Sequence, residues 1–137
     1  MTVIRGLAEV VFMVDDIERS VAFYRDTLGL ELFSPPELPA RFLRVGEAAT
    51  GVPQQIVLVQ RPPGRSRAAT RKSEADLHHI GLEVAPEDFD ALRARMQAEG
   101  FEVRGGEHPF MPVEAFYIDD PDGNEVEIVT ARAEPVS

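Results

Sequence analysis

The chain has 137 residues, 44% of them hydrophobic, no cysteine and a formal net charge of -10. That length is enough for one domain, or two small half-domains, with a real core, and the lack of cysteine excludes disulfides, thiolate catalysis and Cys-type zinc sites. The acidity argues against a nucleic-acid partner, because phosphate binding needs a basic footprint, and the apolar runs are too short to cross a bilayer, so no membrane partner is expected.

The N-terminus, MTVIRGLAEVVFMVDD, has an apolar run that leads into acids with no small-residue cleavage site after it. This predicts no secretory signal and a cytoplasmic protein. Residues 8–14, AEVVFMV, read as a strand. In the following DDIERSVAFYRDTL, Asp15 or Asp16 can cap a helix whose apolar stripe is Ile17, Val21, Phe23, Tyr24 and Leu28, with Gly29 at its end. LELF at 30–33 is a second strand, stopped by Pro35 and Pro36. RFLRV at 41–45 and QQIVLV at 54–59 read as a hairpin. Residues 61–76, RPPGRSRAATRKSEAD, read as a linker. Its Arg61, Arg65, Arg67, Arg71 and Lys72 are either a solvated charge run or a surface for an anionic substrate.

The order then recurs. HHIGLEV at 78–84 is a strand, and PEDFDALRARMQAE is a helix with Pro86 in its first turn, Phe89, Leu92 and Met96 inside and Gly100 at its end. FEVRG is a strand, and VEAFYID and NEVEIVT form a hairpin around DPDG, a strong turn signal. Both halves read βαβββ, and the repeat can be written out: Glu9 plus 70 is His79, Gly29 plus 71 is Gly100, and Val57 plus 70 is Glu127. The predicted fold is α+β, with a first module over 1–60, a linker over 61–76 and a second module over 77–137.

In the last strand Glu125, Glu127 and Val129 face one way, and Val126, Ile128 and Thr130 the other. Carboxylates on one face of a strand mean either solvation or a site. The repeat favours a site at Glu127. Modules related by a pseudo-two-fold would set Glu9 opposite His79 and Val57 opposite Glu127, so three metal-ligand types would meet in one hollow.

On VDDIERSVAFYRDTLGLEL, HHIGLEV and DPDGNEVEIV the chain resembles the vicinal oxygen chelate superfamily, which includes glyoxalase I, bleomycin-resistance proteins, fosfomycin-resistance enzymes and extradiol dioxygenases. The resemblance implies curled sheets that hold a divalent metal chelating vicinal oxygens of a small-molecule substrate. It makes His79 and Glu127 metal ligands. Glu9 stands where many relatives carry His or Gln, and Val57 where glyoxalase I has a fourth ligand. One His and two carboxylates suit Mn, Fe(II), Zn, Ni or Mg, with Lewis-acid stabilisation of an oxyanion and Glu127 or Glu9 as general base. The activity implied is a lyase or isomerase of glyoxalase type. The alternatives are an extradiol-type dioxygenase and a metal-free, bleomycin-resistance-like binding protein. Relatives of this size commonly pair as homodimers.

Around that set, Tyr117, Ala115 and Val57 are expected to line the substrate pocket, Tyr117 either bonding substrate through its hydroxyl or packing in the core. Phe110 and Met111 are expected at the rim. His78 is expected to point to the opposite face from His79 by strand alternation, His108 to be a loop residue, and Asp120 and Asp122 to serve the turn.

Overall fold

The computed structural model describes residues 6–47, 52–63 and 77–132. The chain divides into two compact units, Met1–Ala68 and Ala69–Ser137. No helix among the described residues is long and apolar enough to cross a membrane.

In the first unit β1 (Glu9–Val14) leads into a helix α1 (Ile17–Val21) that continues as a π-helical turn over Ala22–Thr27, followed by β2 (Glu31–Leu32), β3 (Arg41–Gly46) and β4 (Gln54–Gln60). Asp16 caps α1: its side chain accepts from the Arg19 backbone N–H at 3.1 Å. The turn widens where Leu28 N–H reaches the carbonyl of Phe23 rather than Tyr24. Phe23 and Tyr24, adjacent in sequence, are both buried there. Tyr24 stacks on Phe12 at 6.2 Å between ring centroids. Gly29 closes the helix with φ of 80°, a conformation other residues adopt at a cost.

In the second unit β5 (Ile80–Glu83) is followed by α2 (Pro86–Ala98), β6 (Arg104–Glu107), β7 (Val113–Asp119) and β8 (Glu125–Ala131). Proline opens α2, Glu87 and Asp88 sit in its first turn, and Gly100 ends it with φ of 94°. Phe89 and Met96, two turns apart, are buried, while Leu92 is only half-buried. Phe89 packs on Phe116 of β7 at 5.3 Å. Three strands differ from the sequence reading. β2 pairs over two residues only, β6 begins at Arg104 rather than Phe101, and β5 begins at Ile80, leaving His78 and His79 in its lead-in.

The strand orders are β1-β4-β3-β2 and β5-β8-β7-β6, each with one parallel pair at the edge. The register makes the duplication explicit. Val10 pairs Ile56 as Ile80 pairs Val126, Val11 pairs Val57 as Gly81 pairs Glu127, and Phe12 pairs Leu58 as Leu82 pairs Ile128. Every one of these positions advances by 70 residues, so the repeat seen in the sequence is a repeat of hydrogen-bonded register and not only of element order. The fold is α+β, two βαβββ modules.

The second sheet has a covered face and a more open one. In the second unit Val126, Ile128 and Thr130 of β8 and Phe116 and Ile118 of β7 are buried on the α2 side. The intervening residues Glu125, Glu127, Tyr117 and Asp119 point the other way.

Candidate functional site

The open face of the second sheet brings together groups that the sequence scatters over fifty positions. Tyr117 and Glu127 are register partners on the antiparallel pair β7 and β8. Gly81 of β5 is the partner of Glu127 on its other side. The Tyr117 hydroxyl donates to Glu127 Oε2 at 2.5 Å. Glu127 Oε1 lies over Gly81, where a Cβ would come within 3.0 Å of it. His79, just ahead of β5, sets its ring edge-on to Tyr117 with centroids 5.9 Å apart. Imidazole, carboxylate and phenol thus converge within one unit.

Glycine makes room for this arrangement at two points. At Gly81 the missing side chain is the space the carboxylate fills. At Gly106 of β6 a Cβ would stand 2.3 Å from Tyr117 Cε2 and 3.2 Å from its hydroxyl oxygen. The Tyr117 ring therefore occupies the space a side chain at Gly106 would take, with its hydroxyl bonded to Glu127. The hydrogen bond to Glu127, then burial, then the charges of Glu127 and Glu125 push the phenol up to about 12. It stays protonated at neutral pH and acts there as a donor.

Beside this group runs a charged margin. Arg104 reaches Asp119 Oδ1 at 2.7 Å and Glu125 Oε2 at 3.4 Å. The two carboxylates belong to register partners, Asp119 and Glu125.

His78 departs from its expected place. Its Nδ1 lies 2.8 Å from Nδ1 of His79, and the two rings meet edge-on with centroids 5.0 Å apart. Alternation separates neighbouring side chains only inside a paired strand. Both histidines precede the first paired residue, Ile80, so nothing holds them to opposite faces.

The remaining predicted residues fall as follows. Glu9 opens β1 opposite Gln55 and is exposed, and Val57 is buried on β4. Ala115 is buried on β7 two positions before Tyr117, on the same side of the strand. Phe110 is 82% exposed and Met111 45%. Their backbone N–H groups both donate to His108 Nδ1, at 3.1 and 2.9 Å, so His108 closes the loop that presents them. Asp120 serves its turn by accepting from the N–H groups of Asp122 and Asn124 and from the Asn124 amide. Arg61 is tied to Asp15 at 2.8 Å. Arg65, Arg67, Arg71 and Lys72 lie outside the described residues.

Sequence reasoning did not single out Gly81, Gly106, Arg104 or Glu125 as parts of the site. An isolated glycine inside a strand does signal close approach of another group, and HHIGLEV carried that signal.

The divalent cation implied by the chain's resemblance fits these groups. A hard carboxylate and an imidazole share one open face, and the carboxylate is seated in a cradle that a single Cβ would fill. A donor held on the carboxylate by Tyr117 is the kind of outer partner that orients metal-binding carboxylates.

A family model described as the Glyoxalase/Bleomycin resistance protein/Dioxygenase superfamily matches residues 6–128. The chain is 26% identical over 125 residues to a "Glutathione transferase FosA" of Serratia marcescens, spanning 91% of this chain and 80% of that protein. It is similar in structure to TnmS3, an antibiotic binding protein from Streptomyces sp. CB03234, with TM-score 0.62 and 27% identity over 96% of this chain and 100% of the other. A glyoxalase/dioxygenase from Nostoc punctiforme superposes with TM-score 0.74 at 19% identity, covering 94% of this chain and 92% of that one.

Proposed function

Because the chain belongs to the Glyoxalase/Bleomycin resistance protein/Dioxygenase superfamily, we propose that it is a metal-dependent enzyme of lyase or isomerase type acting on a small oxygen-rich or aromatic molecule. The observation that carries this reading is the seating of Glu127 between Gly81 and the Tyr117 hydroxyl, with His79 beside them on the same open face. His79 and Glu127 are the proposed ligands. Glu9 is proposed as a third, from its equivalence to His79 in the repeat. The ion, when bound, supplies Lewis-acid stabilisation of a developing oxyanion.

The protein's own groups do the rest. Glu127 is a hydrogen-bond acceptor positioned to take a proton from a bound substrate, and Tyr117 fixes the rotamer of that carboxylate. Because the phenol is held protonated, with its pKa pushed up to about 12, it can transfer its donated bond from Glu127 to a substrate oxygen without losing a proton. Ala115, on the same side of β7, keeps the wall beside Tyr117 small. Phe110 and Met111 offer apolar surface, proposed as the rim over a substrate's carbon skeleton. A homodimer is part of the same proposal.

Similarity to an antibiotic binding protein supports one rival, a metal-free cup that binds an aromatic drug. In that case Tyr117 and Glu127 are drug contacts and no ion is needed.

The deciding experiment is metal analysis of protein purified without chelator, with thermal unfolding in the presence and absence of EDTA. An ion present at 100 times its dissociation constant adds about 2.7 kcal/mol of stability, a shift of several degrees in Tm. The proposal expects that shift in the wild type and a smaller one in Glu127→Gln. Glu9→Gln should lower occupancy if Glu9 is a ligand. A wild type with no bound metal and no response to EDTA would overturn the enzyme reading in favour of the binding protein.

A further inference from the structure

The imidazoles of His78 and His79 and the carboxylate of Glu125 present one ligand atom each within 4.8 Å of one another. Only His79 belongs to the site proposed above. His78 stands outside strand β5, and Glu125 is one pleat repeat from Glu127 along β8.

We propose that His78, His79 and Glu125 form a second donor set, one that takes a borderline transition-metal dication. Three observations carry this. The first is the spacing of the two imidazoles. Donors bound at about 2.1 Å and at right angles around an ion are about 3.0 Å apart, and the two Nδ1 atoms lie 2.8 Å apart. That contact is a hydrogen bond, so one Nδ1 carries the shared proton; an ion takes its place once that proton sits on the ring's other nitrogen, and the Glu125 carboxylate lies within 4.8 Å of both rings.

The second is accessibility. His78 and His79 are exposed and Glu125 is half-buried, so an ion can arrive without opening the core. The third is the loose hold on Glu125. Arg104 lies 3.4 Å from it but holds Asp119 at 2.7 Å. Glu125 can leave Arg104 for an ion while Arg104 keeps Asp119.

The donor types set the ion class. Two imidazoles and one carboxylate favour Zn, Fe(II), Co, Ni or Cu over Mg or Ca, which prefer all-oxygen shells. A two-imidazole set also differs in kind from the single-imidazole set proposed at Glu127, and because a neutral imidazole offers one lone pair, His79 serves one set or the other at a time.

The proposal shares His79 with the proposed function, so the test is built to separate them. Metal-stripped protein is titrated with Co(II) alone, then with Mg alone, following the visible absorption of cobalt and the heat of binding. The expected result is that Glu127→Gln still binds Co(II), and that adding His78→Ala or Glu125→Gln to it weakens binding by tenfold or more, with Mg giving no signal in the Glu127→Gln protein. In unaltered protein, Zn addition should shift the side-chain nitrogen resonances of His78 and His79 together. If Glu127→Gln alone abolishes Co(II) binding, or if His78→Ala and Glu125→Gln change nothing, this second set does not exist and the site at Glu127 stands. If Glu127→Gln binds as the wild type does while the His78 and Glu125 variants do not, the second set stands and Glu127 is no ligand.

Discussion

Replacing Gly106 with alanine should break the site without touching any of its functional groups. The new Cβ would lie 2.3 Å from Tyr117 Cε2 and 3.2 Å from Cζ and the hydroxyl oxygen. Carbon atoms rest at about 3.5–4.0 Å, so the ring must retreat by more than about 1 Å. A 2.5 Å bond to Glu127 does not survive a displacement of that size. Overpacking costs about 1–3 kcal/mol, and the lost bond to a charged acceptor adds about 1 kcal/mol at this partly exposed position. Urea unfolding at fixed protein concentration should therefore show a loss of about 2–4 kcal/mol. In a Tyr117→Val background the obstruction is gone. There, alanine should be neutral or stabilising by about 0.5 kcal/mol, because glycine is the poorer residue inside a strand. The sign should reverse between the two backgrounds. Equal effects in both would show that Gly106 and Tyr117 are not coupled, and would refute the account of how Tyr117 is held over Glu127.

Three other outcomes follow from the same geometry. Tyr117, whose pKa is pushed up to about 12, should give a phenol titration near that pH that is lost in Tyr117→Phe; against an unfolded value near 10, its contribution to stability is full below about pH 10 and lost as pH rises through about 12, and Glu127→Gln should bring the midpoint down. Thr130 Oγ1 is buried with no hydrogen-bond partner among the described residues, so Thr130→Val should leave the fold intact and raise stability by about 1 kcal/mol in thermal unfolding; a loss of that size would mean the hydroxyl has a partner. Asp120→Ala removes three bonds that close the turn between β7 and β8 and should cost about 1–3 kcal/mol, whereas Asp120→Asn, which keeps an acceptor oxygen, should cost less.

The sequence alone was enough to show the duplication and the two faces of β8. Periodicity is a local property: every second residue of a strand shares a face, and glycine after a helix marks its end wherever the chain goes next. Hence the offset of 70 from Val57 to Glu127 could be read from letters and reappears as paired register. Glu127 could be nominated for the same reason. Only the tertiary structure could decide what Glu127 meets. Gly81 comes from a strand far away in sequence and Tyr117 from the other arm of the same hairpin, and the register of the two ladders decides that these residues flank Glu127. Nor could alternation place His78, because it governs a residue only while that residue is paired, and pairing begins at Ile80. Contact between side chains on different strands depends on register and on where the ladder starts, and neither is written in any one segment.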